Sequence, residues 1–101
     1  MWATILRMLL DGADPGLVVG GGRWVLTGGG TGFSTWTDAD ALKVVVEEHA
    51  PVGWVPGLNE RGHTALVGPA NFGHAHCIEV TDDGLRGAAD PRSIIGEAAG
   101  F

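Results

Sequence analysis

The sequence predicts an α+β fold, a mostly antiparallel sheet with helices laid on one face. Three observations predict it. Two apolar helix-forming stretches open the chain, short β-branched runs bounded by glycine follow, and an alternating segment near the end is broken by Asp82-Asp83-Gly84. The 101 residues allow one domain, 1–101, and 45% hydrophobic content is enough to build a core.

The elements follow in order. Residues 3–11 read as a helix, because Ile5 with Leu9 and Leu6 with Leu10 lie one turn apart. Apolar cover runs most of the way round, so this helix wants burial on more than one side. Gly12 is its stop. Asp14-Pro15 has the form of an N-cap and first-turn pair for a second helix through 19, closed by Gly20-Gly21-Gly22.

Residues 23–27 and 42–47 have strand composition, with a polar, loop-like stretch from 31 to 40 between them that holds Trp36. Pro51 and Pro56 bracket the start of a short helix over 57–61 capped by Gly62, with Trp54, Val55 and Leu58 on its buried side. A strand over 64–67 and a turn over 68–73 come next. In the final hairpin, Ile78 and Val80 alternate with Cys77 and Glu79, the period of a strand with one buried face. Asp83-Gly84 suits a two-residue turn, and Pro91 ends the pairing. Helices shield part of one sheet face and little remains for the other.

Composition removes several function classes. Net charge is −6, and the six basic residues (Arg7, Arg23, Lys43, Arg61, Arg86, Arg92) are dispersed, which disfavours nucleic-acid binding. The single cysteine, Cys77, rules out an internal disulfide. No apolar run approaches the roughly 20 residues of a membrane span, and the first residues lack a signal-peptide pattern.

The residues that could carry chemistry have plainer structural roles. His63, His74, His76 and Cys77 are metal-ligand types, but His74 and His76 share a strand face from which Cys77 points away. One zinc ion therefore cannot take all three without a bulge. A strand cysteine between apolar neighbours is a small buried hydrophobe before it is a nucleophile. The glycine-rich runs at 20–22 and 28–32 lack the Gly-Lys-Ser/Thr of a phosphate loop. Asp38 with Asp40, and Glu47 with Glu48, read as solvated charge. Asp90 and Arg92 read as a structural pair across Pro91 that pins the tail. The tryptophans at 2, 24, 36 and 54 read as packing groups.

The order of these motifs resembles the γ-glutamyltransferases (γ-glutamyltranspeptidases). That family's carboxy end has a strand, a Gly turn, a second strand, Asp-Pro-Arg and a Gly-aromatic terminus. Here the counterparts are 78–80, Gly84, 85–89, Asp90-Pro91-Arg92 and Gly100-Phe101. Upstream, Thr4-Ile5-Leu6-Arg7-Met8-Leu9-Leu10, Arg23-Trp24, Val44-Val45-Val46-Glu47 and Leu58-Asn59-Glu60-Arg61-Gly62-His63 match family segments in the same order, so the resemblance covers essentially the whole chain. The departure is at 20–22, where three glycines replace the family's acidic residue, small residue and proline.

The resemblance implies part of an N-terminal-nucleophile hydrolase αββα sandwich. In that family an amino-terminal Thr attacks a γ-glutamyl donor of the glutathione type, and the acyl group passes to water or an amino acid. The nucleophile, the glutamate-binding residues and the oxyanion glycines precede the family's counterpart of residues 3–11. The resemblance thus implies no catalytic, substrate-binding or metal residue and no cofactor in 1–101, which would be roughly the second half of the small subunit. Its implied partner is the remainder of the enzyme, large subunit included, or its own copies when that is missing. The alternative is a free-standing α+β binding or assembly domain.

Overall fold

The computed structural model describes residues 2–28, 39–69 and 72–100. They carry three helices, five strands and one short 3-10 turn. The order is α1 (Trp2–Asp11), α2 (Pro15–Gly20), β1 (Trp24–Thr27), the turn Ala39–Ala41, β2 (Lys43–Glu47), α3 (Trp54–Glu60), β3 (Ala65–Gly68), β4 (Cys77–Thr81) and β5 (Gly84–Ala88). The fold is α+β as expected, with the strands divided between two sheets. Part of the 31–40 loop, Trp36 and Asp38 included, lies outside the described residues.

Two compact units form. One is continuous, Gly22–Phe72; the other joins Met1–Gly21 to Gly73–Phe101.

The continuous unit is a three-stranded sheet in the order β1-β2-β3. β1 runs antiparallel to β2, with Trp24 opposite Val46 and Leu26 opposite Val44. β3 runs parallel to β2, with Val44 opposite Ala65 and Val46 opposite Val67. The parallel pair departs from the antiparallel pattern because α3 intervenes: a strand that returns through a helix re-enters in the same direction. Val44, Val46, Ala50 and Ala65 form the buried cluster, and Val55 and Leu58 of α3 pack on it. On the opposite face Val25 and Leu66 are exposed, and among the described residues of this unit the helix packs on the Val44 and Val46 side.

Helix α3 begins three residues earlier than the sequence suggests. Pro56 sits in its first turn, where the backbone N–H groups have no helical acceptor and a missing one costs nothing. Its end is a Schellman motif. His63 N–H donates to Leu58 O (3.1 Å), Gly62 N–H to Asn59 O (3.0 Å), and Gly62 takes φ +86°.

In the discontinuous unit, Asp14 caps α2 as expected, its Oδ1 accepting from the N–H groups of Gly16 (2.9 Å) and Leu17 (3.3 Å). Helix α2 packs against the β4–β5 hairpin and buries Pro15, Val18 and Val19. The hairpin pairs Cys77 with Ala88, Ile78 with Gly87, Glu79 with Arg86, Val80 with Leu85 and Thr81 with Gly84. Its two-residue turn is Asp82-Asp83, one residue before the expected pair. Both aspartates keep negative φ, and Gly84 at +130° absorbs the change of direction. The period-two alternation holds, but its aliphatic side is the exposed one: Ile78, Val80 and Leu85 are 69%, 79% and 70% exposed. Helix α1 is also largely exposed along Leu6, Leu9 and Leu10.

Candidate functional site

The most highly organised polar cluster is the Asp90-Pro91-Arg92 signature. Asp90 is 1% exposed. Its Oδ2 accepts from Ala75 N–H (2.7 Å), and its Oδ1 accepts from Arg92 N–H (2.9 Å) and Arg92 Nη1 (3.0 Å). The guanidinium reaches further: Nη1 donates to Val19 O (3.0 Å) and Nη2 to Gly21 O (2.9 Å). These carbonyls lie at the exit of α2, where backbone acceptors lose their helical donors and the helix dipole favours a cation. The carboxylate neutralises the buried guanidinium, and the guanidinium terminates the helix. The pairing expected across Pro91 is present, but it holds the end of α2 and the approach to β4 rather than the tail alone. A rigid five-donor fork is the side chain that suits this task.

Glu47, read from sequence as solvated charge, is 1% exposed. Its Oε2 accepts from Arg23 N–H (2.8 Å), while its own N–H donates to Arg23 O (3.0 Å). His49 Nε2 lies 3.6 Å from the same oxygen. Arg23 Nη1 donates to Phe72 O (3.5 Å). The cluster locks the β1–β2 register. The residue preceding Arg23, Gly22, has no room for a side chain. A Cβ there would lie 2.6 Å from the Cα and Cβ of Ala50, so only glycine fits.

Sequence reasoning passed over Asn59. Its Oδ1 accepts from Ala65 N–H (2.8 Å) and its Nδ2 donates to Ala65 O (3.3 Å), so one amide holds both backbone groups of the first β3 residue. An Asn three residues before the glycine that closes a helix gives no distinctive pattern.

An open apolar groove of about 600 Å³ runs between β1 and α3. Trp24, Leu26, Val44, Trp54 and Leu58 line it, with Arg61 and His63 the charged or titratable lining residues. Arg61 is engaged, donating from Nη1 to Gly57 O (2.7 Å).

The remaining sequence candidates do not converge. His74 and His76 are exposed and precede β4, Cys77 is half-buried at its start, and His63 belongs to the other unit. Among the described residues, no three His, Cys, Asp or Glu side chains approach closely enough to hold a metal ion, and no helix is long and apolar enough to cross a membrane. Gly28 takes φ +85° beside Ala41 O, which a Cβ would meet at 2.0 Å; this is loop geometry. Thr4 lies within α1, with its backbone N inside the chain.

No family model matches the chain, and no curated protein does. Solved structures do. The γ-glutamyltranspeptidase of Pseudomonas nitroreducens, solved with L-DON, superposes with a TM-score of 0.67 over 99% of this chain at 19% identity. A mutant γ-glutamyltranspeptidase from Helicobacter pylori superposes with 0.62 over 92% at 16% identity. The fold is that of γ-glutamyltranspeptidases. The match takes up 46% of each of those two chains, so this chain spans less than half of the length of the γ-glutamyltranspeptidase chains it resembles. The motif order read along the sequence and the superposition agree on the same family of folds.

Proposed function

We propose that residues 1–101 are the carboxy-terminal structural portion of a γ-glutamyltransferase-like enzyme, one partial domain that performs no catalysis by itself. The activity of the completed enzyme is γ-glutamyl transfer or hydrolysis on glutathione-type donors, with the nucleophile on polypeptide outside this stretch. The observation that carries the reading is the superposition of 99% of this chain on 46% of a γ-glutamyltranspeptidase chain. Two features support it. The buried polar groups, Asp90, Arg92 and Glu47, are spent on backbone hydrogen bonds rather than aimed into a cleft. The large apolar side chains left exposed are of the kind that a further layer would cover.

In this reading the chain needs no cofactor. It supplies strands and helices that support a site built elsewhere, with the remainder of the enzyme as its partner. The test is release of aniline chromophore from a γ-glutamyl anilide by the purified chain, with the Pseudomonas nitroreducens enzyme as positive control. The expected rate equals the buffer blank. Sustained turnover by the isolated chain would overturn the proposal.

A further inference from the structure

The groove between β1 and α3 has no part in the proposed function, and all of its lining belongs to the continuous unit. Cross-strand partners share a sheet face, so Trp24 and Leu26 of β1 stand on the same side as Val46 and Val44. Helix α3 packs on that side through Val55 and Leu58. Trp24 and Leu26 stay 59% and 49% exposed beside it. The helical wall of the groove is opened by glycine. Gly53, at the N-cap of α3, and Gly57, one turn further on, both line it. Neither takes positive φ, so neither is required by its backbone conformation. What they provide is room: a Cβ on Gly53 would meet nothing within 4 Å, and one on Gly57 would meet only Arg61 Nη1, at 3.4 Å. Glycine inside a helix is less stable than alanine, so the space at Gly57 persists at a cost to the helix.

The charge of the lining is one-sided. Arg61 and His63 are its titratable side chains, and among the described residues no carboxylate lines the groove, in a chain of net charge −6. The Nη1 bond to Gly57 O holds the Arg61 guanidinium at the groove edge and uses one of its five N–H groups. We propose that this groove binds a small aromatic carboxylate. Its volume, about 600 Å³, falls within the roughly 300–1,000 Å³ of small-molecule sites. The indoles of Trp24 and Trp54 meet the aromatic ring, Leu26, Val44 and Leu58 supply apolar contact, and the planar fork of Arg61 receives the carboxylate. A cationic ligand meets a like charge there, and a wholly apolar one leaves the guanidinium without a partner. The assignment stands on this unit alone and does not depend on where the γ-glutamyl chemistry resides.

The test is titration of the 101-residue chain with 2-naphthaleneacetate and with its uncharged isostere 2-naphthaleneacetamide, read by calorimetry and by quenching of tryptophan emission. The acid is expected to bind one to one, about fivefold more tightly than the amide, which is the scale of an exposed ion pair. Arg61→Gln is expected to remove that preference and to keep amide binding. Gly57→Leu fills the groove at a site with room for a side chain, and Gly53→Leu is the second such variant. Both are expected to abolish binding of either probe with the thermal midpoint kept or raised. No saturable binding, equal binding of acid and amide, a preference that survives Arg61→Gln, or unchanged binding in both leucine variants overturns the assignment. Unfolding of both leucine variants also overturns it, since the space would then belong to the core. Acid affinity that falls as chain concentration rises, together with light scattering that falls as acid is added, would make a second copy of the chain the occupant and overturn it too.

Discussion

Asp90 and Arg92 show how a buried charge is made tolerable. Neither could be left alone: an unpaired ion in this environment costs several kcal/mol, and both carboxylate oxygens of Asp90 and both Nη atoms of Arg92 have partners within 3.0 Å. Asp90→Ala leaves the guanidinium buried without a counterion, and we expect a loss of about 3–5 kcal/mol in urea unfolding monitored by circular dichroism. Arg92→Lys keeps the charge but cannot span Val19 O and Gly21 O together, so a loss of about 1–3 kcal/mol is expected in the same assay. If Arg92→Lys matched the parent protein, the fork would be dispensable. Asn59 gives a third residue-scale expectation. Asn59→Leu strips the partners from both backbone groups of Ala65 and should cost about 2 kcal/mol, read in the unfolding of the continuous unit by hydrogen exchange.

At the scale of elements, local chemistry was legible wherever the backbone itself demanded a residue type. Asp14-Pro15 marked the start of α2, Gly12 and Gly62 marked helix exits through positive φ, and Pro91 marked the end of pairing. What the sequence could not supply was information carried by contacts distant along the chain. Glu47 reads as solvated because a carboxylate beside Glu48 and His49 gives no hint that Arg23 N–H, 24 residues earlier, will enclose it. The parallel β2–β3 pairing was hidden for the same reason, since strand composition does not encode direction. The start of α3 was misplaced because Pro56 looks like a boundary, whereas in a first turn it is neutral. Gly62→Ala tests the exit of that helix. At φ +86° an alanine is strained, and we expect a loss of about 1 kcal/mol, visible as a lowered thermal midpoint. Open space around the position means that any loss reports backbone strain rather than collision.

At the scale of the whole molecule, the fold class followed from the count and order of elements. Aliphatic side chains on α1, β1 and the hairpin are exposed. The buried clusters are small, and a domain of this size has little stability to lose. We therefore expect the isolated chain to self-associate with rising concentration in light scattering, through heterogeneous apolar contacts rather than as one defined dimer. A single monomeric species at millimolar concentration would show that these surfaces are compatible with water on their own.

The discontinuity of one unit has a bearing on synthesis. Residues 2–21 are tied to a stretch that leaves the ribosome well after them, and the knot between them is Arg92 on Val19 O and Gly21 O, 73 and 71 residues back. The intervening stretch, 22–72, holds its own sheet and helix and can settle first, whereas the opening helices must wait without their anchor. Nascent chains arrested before residue 92 clears the exit should protect the middle segment from protease and leave the amino-terminal one open to cleavage.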